Sequence, residues 1–308
     1  MENPNQREYE KSMSRQSCEA FSFTSPEGPT GKPIEVACYR WPAARTPVGI
    51  VQISHGMGEH SLRYGDLAAY LNQAGFQVYA NDHRGHGLTA LSKEALGDFG
   101  VGGWDALVED MARLTRLARE REGGLPIVLL GHSMGSFATQ AYLLDHSGLI
   151  AAAVLSGSAA LDKLQIDSSG DADLTAFNRE FEPARTAYDW LSRDPAQVDK
   201  YVADSLCGFG VIASSMATMA AASMRIIDPA QLARIRKDLP IWIMAGDKDP
   251  INHHLEWLRP VAERYRAAGI KQVTEKYYRD GRHEMFNETN RAEVYRDLLN
   301  WILGAIGA

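Results

Sequence analysis

Short apolar runs and amphipathic stretches alternate along most of this 308-residue chain, and their order sets the fold to expect. Phe21-Ser22-Phe23 and residues 34–39 alternate apolar and polar with period two, which reads as a hairpin across the Pro/Gly-rich stretch 26–33. From Val48 the rhythm changes. Residues 49–53 read as a strand, 63–74 as a helix ending at Gly75, and 76–80 as the next strand. Trp104, Leu107, Val108, Met111, Leu114 and Ala118 mark an amphipathic helix that stops at Gly123-Gly124. Residues 126–130 form an unbroken apolar run, the pattern of a strand buried on both faces. A helix with apolar residues at 137, 141 and 144 follows, then a strand at 152–155. After a gap come a strand at 240–245, a helix near 254–268, a strand at 273–278 and a closing helix carrying Val294, Leu298 and Ile302. The expected class is α/β, with a mostly parallel central sheet and helices on both faces.

The gap is informative. Between about 157 and 237 the alternation fails, and the segment is too long for a connecting loop. It reads as a helical cap inserted at 157–236 over the C-terminal edge of the sheet, with the core at 20–156 and 237–308 and a flexible lead-in at 1–19. Residues 209–221 within it are apolar and rich in small side chains. Three uses are open for them: lining an apolar tunnel, resting on a membrane surface, or packing the cap onto the core.

Chemistry enters at Gly131-His132-Ser133-Met134-Gly135, between the run 126–130 and the helix after it. A serine flanked by glycines at a strand-to-helix turn is held on a tight, strained bend, with the free N–H groups of the helix facing its oxygen. Serine barely ionises near neutral pH, so it needs a base, and the base needs an orienting carboxylate. Of nine histidines, His283 follows the strand 273–278 into the loop at its C-terminal end, where open α/β sheets place their ligands. His132 is expected to be structural and to point away from the reacting side, and His146, His253 and His254 to sit on helices. The loop after strand 240–245 offers Asp247 and Asp249. Asp249 lies deeper and can reach an imidazole from the next strand, whereas Asp247 is better placed to bond turn amides. The expected catalytic set is therefore Ser133, Asp249 and His283. The N–H of Met134 and that of Met57, in His55-Gly56-Met57-Gly58-Glu59-His60 after strand 49–53, are the expected oxyanion donors.

Charge and cysteines narrow the setting. A formal net charge of −7 with no basic cluster disfavours nucleic acid. No apolar stretch reaches the roughly 18 to 20 residues that span a bilayer, and the polar N-terminus is not a secretory signal. Cys18, Cys38 and Cys207 are few, odd in number and far apart, which suits free thiols in the cytoplasm. Cys207 is expected to be buried and inert rather than reactive. His83 and His86 suggest a metal pair, but no carboxylate or thiolate set completes it, so they read as loop-ordering residues. The oligomeric state is open.

These residues together resemble the monoglyceride lipase and bacterial lysophospholipase branch of the α/β-hydrolase superfamily. The match is carried by His55 to His60 with Arg63-Tyr64, by Asp82-His83-Arg84-Gly85-His86-Gly87, by the serine motif, by Gly246-Asp247-Lys248-Asp249 and by Arg282-His283-Glu284. The order serine, acid, histidine is also that of α/β-hydrolases. The resemblance implies a serine hydrolase of carboxylic esters, usually a monoacylglycerol or another single-chain lipid, needing neither metal nor cofactor. It implies the same nucleophile, acid, base and oxyanion amides as the residue reading, and it allows peripheral membrane contact through the cap. Lysophospholipids and short-chain esters are the alternatives, and the cap offers Asp167, Asp171, Asp173 and Arg179 to a charged headgroup. Proline aminopeptidases and C–C hydrolases share the fold and triad. A non-catalytic ligand sensor is the alternative outside enzymes, though such relatives usually lose a triad member and none is missing here.

Overall fold

Strands form where the apolar runs fall. The computed structural model describes residues 18–26, 30–164 and 170–308; the lead-in before Cys18 and Asp167 lie outside them. The strands are β1 (Glu19–Ser25), β2 (Ile34–Trp41), β3 (Gly49–Ser54), β4 (Phe76–Asn81), β5 (Ile127–His132), β6 (Ala152–Ser156), β7 (Ile241–Gly246) and β8 (Val273–Tyr278). They make one sheet in the order β1-β2-β4-β3-β5-β6-β7-β8. The pairs β1–β2 and β2–β4 are antiparallel and the rest parallel. The expected hairpin sets Phe21 opposite Cys38 and Phe23 opposite Val36. Every residue of β3 to β7 is buried, which is why these strands read as unbroken apolar runs rather than alternating ones.

The helices are α1 (Gly65–Gln73), α2 (Gly103–Arg121), α3 (Met134–His146), α4 (Pro195–Ala203), α5 (Ala213–Ile227), α6 (Pro229–Leu232), α7 (Arg259–Ala267) and α8 (Arg291–Ile306). Successive strand side chains face opposite ways. Val128 and Leu130 therefore meet Leu67 and Leu71 of α1 and Val294, Leu298 and Ile302 of α8. Ile127 and Leu129 face the layer built by α2, α3 and α7. Helix α3 is buried on all sides from Met134 to Leu144, more than its apolar spacing implied, because α2 and α5 cover its outer face.

Among the described residues no strand interrupts the segment between β6 and β7. It holds α4, α5, α6 and short stretches of 3-10 helix such as Leu174–Phe181. Asp194 and Asp228 start α4 and α6 by accepting the N–H groups of Ala196 and Ala230 (3.0 and 2.8 Å), each with proline as the first helical residue. The helix expected near 254–268 begins only at Arg259. His253, His254 and Leu255 take φ of 49°, 52° and 75°, a left-handed stretch that no α-helix continues through.

The chain leaves β3 toward β4 on one side and β5 toward β6 on the other. Beyond the C-terminal ends of these adjacent strands a crevice opens between their loops.

Candidate active site

Ser133 stands at the end of β5 with φ 53° and ψ −122°, a conformation that costs a non-glycine residue on the order of 1–3 kcal/mol. The surroundings hold it there. Its N–H donates to the Ser156 carbonyl at 2.9 Å. A Cβ at Gly131 would lie 2.4 Å from the Gly135 carbonyl oxygen, and one at Gly135 would lie 2.1 Å from that of Ser54. Both flanking glycines are thus required by close backbone approach. Met134 opens α3, so its amide is one of the free N–H groups at the positive end of that helix.

The loop after β3 is ordered by histidines. His55 accepts the His83 N–H on Nε2 at 2.9 Å, so its proton sits on Nδ1 and is donated to the Gly56 carbonyl at 2.8 Å. A peptide unit is planar and trans, so fixing the Gly56 carbonyl also fixes the Met57 N–H, which points the opposite way. His86 accepts the Gly58 N–H at 3.2 Å and His83 meets Ser54 Oγ at 2.9 Å. Both act on the loop, as the sequence suggested.

Asp249 and His283 come from the loops after β7 and β8. Asp249 is fully buried; its Oδ1 accepts the Ile251 N–H at 2.9 Å and its Oδ2 meets His283 Nδ1 at 2.9 Å. With Nδ1 so engaged, Nε2 remains for a proton from the serine side. Burial works against the imidazolium, but the charge and hydrogen bond of Asp249 outweigh it and raise the His283 pKa above its ordinary value. Asp247 instead accepts the Asp280 N–H at 2.8 Å. The histidine loop is also bound to the inserted segment: the His283 and Glu284 N–H groups donate to the Trp190 and Leu191 carbonyls (3.4 and 2.7 Å). Buried Glu288 accepts the backbone N–H groups of Arg282 and Arg193 at 3.0 and 3.1 Å.

Ser133, His283, Met57 and Met134 border one cavity of about 460 Å³, roofed by inserted residues such as Phe177, Met216 and Met219. That volume suits a small organic ligand.

Residues 45–290 match the family model described as serine aminopeptidase S33, Hydrolase_4. The chain belongs to this family. A monoacylglycerol lipase from Mycolicibacterium smegmatis is 31% identical over 85% of this chain and 91% of its own length. The human monoglyceride lipase is 31% identical over 55% of each chain. Among solved structures, a carboxyl esterase from Bacillus coagulans in complex with glycerol superposes with a TM-score of 0.81 at 30% identity, over 94% of this chain and 99% of that one. This α/β-hydrolase falls in the monoglyceride lipase-like branch and is a carboxylic ester hydrolase.

Two expectations about the hydrolase's histidines are overturned, one for His132 and one for His253 and His254, which are not on a helix. His132 does not point away from the site: it borders the cavity with its ring 4.7 Å from that of His283. Strand alternation separates neighbouring side chains only while both residues are extended, and Ser133 is not. Burial, reinforced by His283, lowers the His132 pKa to about 4, so the ring is neutral at working pH. His253 and His254 lie on an exposed turn, paired with Glu256 and Glu180 at 2.9 and 2.7 Å. His146 ends α3 and meets Glu109 at 3.1 Å.

Sequence reasoning gave Glu59 and Glu284 no chemical part, yet both are buried at the cavity wall. The available signal was the charge itself: Glu59 follows a glycine-rich loop and Glu284 follows the base. Asp171 and Asp173 border the cavity, and Arg179 does not. Residues 213–227 form α5, whose Met216 and Met219 face the cavity while Ser215 and Thr218 bond the amides of Phe99 and Trp104. Cavity lining and packing onto the core are thus combined in one helix.

Cys207 is half-buried. Burial, only partly offset by Arg63, pushes its thiol pKa well above the ordinary range. With His60 and Asp204 it forms a trio of metal-ligand types whose atoms lie within 4.8 Å of one another, and His60 and Asp204 there bond each other at 2.9 Å. Among the described residues no helix is long and apolar enough to cross a membrane.

Proposed function

We propose that this hydrolase cleaves monoacylglycerols or similar single-chain lipid esters through an acyl-enzyme on Ser133. One observation carries the reading: Ser133 on its strained elbow and His283, bonded to buried Asp249, border a single cavity lined largely by apolar side chains. His283 Nε2 takes the hydroxyl proton as Ser133 Oγ attacks the ester carbonyl, and Asp249 stabilises the imidazolium. The Met57 and Met134 amides receive the oxyanion. The tetrahedral intermediate collapses, the glycerol oxygen leaves with the proton from His283, and water repeats the sequence to release the fatty acid and restore Ser133.

The inserted segment 157–236 serves as the cap, and its apolar side chains suit an acyl chain. The exposed face of α5, with Met224, suits shallow contact with a lipid surface. Cysteines that form no disulfide among the described residues suit a reducing compartment such as the cytoplasm. Asp171 and Asp173 at the cavity edge favour a cationic headgroup, so lysophosphatidylcholine is the second reading.

The test is turnover of monoacylglycerols of graded length beside lysophosphatidylcholine and p-nitrophenyl butyrate, with fluorophosphonate labelling of wild type and Ser133→Ala. Labelling and turnover should both vanish in the variant while its thermal unfolding stays that of wild type. Turnover that survives in Ser133→Ala ends the proposal.

A further inference from the structure

Three charged side chains, two buried and one mostly covered, have no part in the chemistry above. Glu59 and Glu284 are 3% and 5% exposed. Arg63 joins them: Nη1 donates to Glu59 Oε2 and Glu284 Oε1 at 2.5 and 2.6 Å, and Nη2 to Glu284 Oε2 at 2.8 Å. Buried charges persist only when paired and hydrogen-bonded, and one guanidinium between two carboxylates meets that condition. The remaining Glu59 oxygen, Oε1, accepts the Gly56 N–H at 2.5 Å and the Tyr64 hydroxyl at 2.7 Å. Gly56 precedes the peptide that carries the Met57 amide. A Cβ there would stand 2.8 Å from Glu59 Oε1 and 3.1 Å from Ser133 Cβ, so carboxylate, loop and serine are in close register. At the other end of the cluster, Glu284 is the residue next to His283.

We propose that Glu59 is a positioning residue for the oxyanion hole: held by Arg63 and Glu284, it clamps Gly56 so that the Met57 amide faces the oxyanion at a fixed spacing from His283. The inference rests on the reading of Ser133 as the nucleophile. Burial alone would raise the Glu59 pKa, but Arg63, His132, His55 and Tyr64 bring it down to about 2. The clamp therefore stays ionised throughout the working range.

The experiment compares wild type, Glu59→Ala and Glu59→Gln on three readouts: kcat and KM, affinity for a trifluoromethyl ketone that forms an oxyanion on the serine, and affinity for an unreactive ether analogue of a monoacylglycerol. Loss of one oxyanion donor costs about 100- to 1000-fold. Glu59→Ala should lose kcat and ketone affinity together by that order, with KM and ether affinity within about threefold of wild type. Glu59→Gln keeps an oxygen for Gly56 but not the charge for Arg63, and should fall between; it decides alone if the alanine variant does not fold. Unchanged kcat and ketone affinity would overturn the proposal. So would a loss confined to KM and ether binding, which would make Glu59 a substrate contact. Fluorophosphonate labelling of the wild type reports separately on Ser133, so failure of the clamp and failure of the nucleophile are told apart.

Discussion

Gly157 follows β6 with φ 56°, under the two imidazoles that border the cavity. Alanine at this position adds two penalties of different kinds. The left-handed backbone costs a residue with a Cβ roughly 1–2 kcal/mol. The new methyl would also lie 2.9 Å from His283 Cε1, 3.0 Å from His132 Cε1 and 3.1 Å from His283 Nδ1. Comfortable carbon contacts begin near 3.5 Å, so the His283 ring must recede by roughly 0.6 Å. It cannot swing freely, because Asp249 holds Nδ1. Misplacing a reacting group by about 1 Å costs on the order of 100-fold in rate, so a shift of this size should cost roughly tenfold. Gly157→Ala should therefore lower kcat toward p-nitrophenyl butyrate about tenfold with KM within threefold, and lower Tm by about 1.5–3 °C. Gly148→Ala is the matched control, since a Cβ there meets nothing within 4 Å. A Gly157→Ala enzyme with the expected fall in Tm but wild-type kcat would show that the imidazole is not seated where the packing demands.

Two further outcomes follow from the same geometry. Because Asp249 raises the His283 pKa and only the neutral imidazole accepts the serine proton, kcat/KM of wild type should rise with pH through an apparent pKa above about 6.5. In Asp249→Asn burial acts unopposed by that charge, so the rate should fall by about 10⁴ and the acid limb should move to lower pH; an unmoved limb in the residual activity would detach Asp249 from the base. Met219→Trp should shorten the apolar end of the cavity. At about 0.8 kcal/mol per excluded methylene, two or three lost methylenes should cut long-chain turnover on the order of 15- to 60-fold relative to butyrate. Equal losses for long and short esters would remove α5 from the acyl-chain wall.

Strands β3 to β7 were legible in the sequence because burial on both faces turns a strand into a bare apolar run, and glycines mark the turns between them. The serine motif was legible for the same reason: its position between a strand and a helix defines the backbone it must adopt. The start of α7 was not, since a left-handed turn at His253–Leu255 leaves no trace in periodicity. The side His132 faces was not legible either, because extended geometry stops at Ser133 and the sequence does not show how that turn redirects its neighbour. Arg63 and Glu284 meet across 221 positions, and no local pattern announces such a pair.

The attachment of Trp190 and Leu191 to the backbone of His283 and Glu284 gives the doorway of the enzyme a fixed jamb. Any swing of that strip would carry the imidazole with it and pull it from Asp249, so admission of a bulky ester cannot be bought by moving this side. Widening falls to a margin of the cavity that is not bonded to the His283 loop, such as Met216 and Met219 of α5. Exchange of that margin between relatives would alter which esters enter while leaving the proton path untouched.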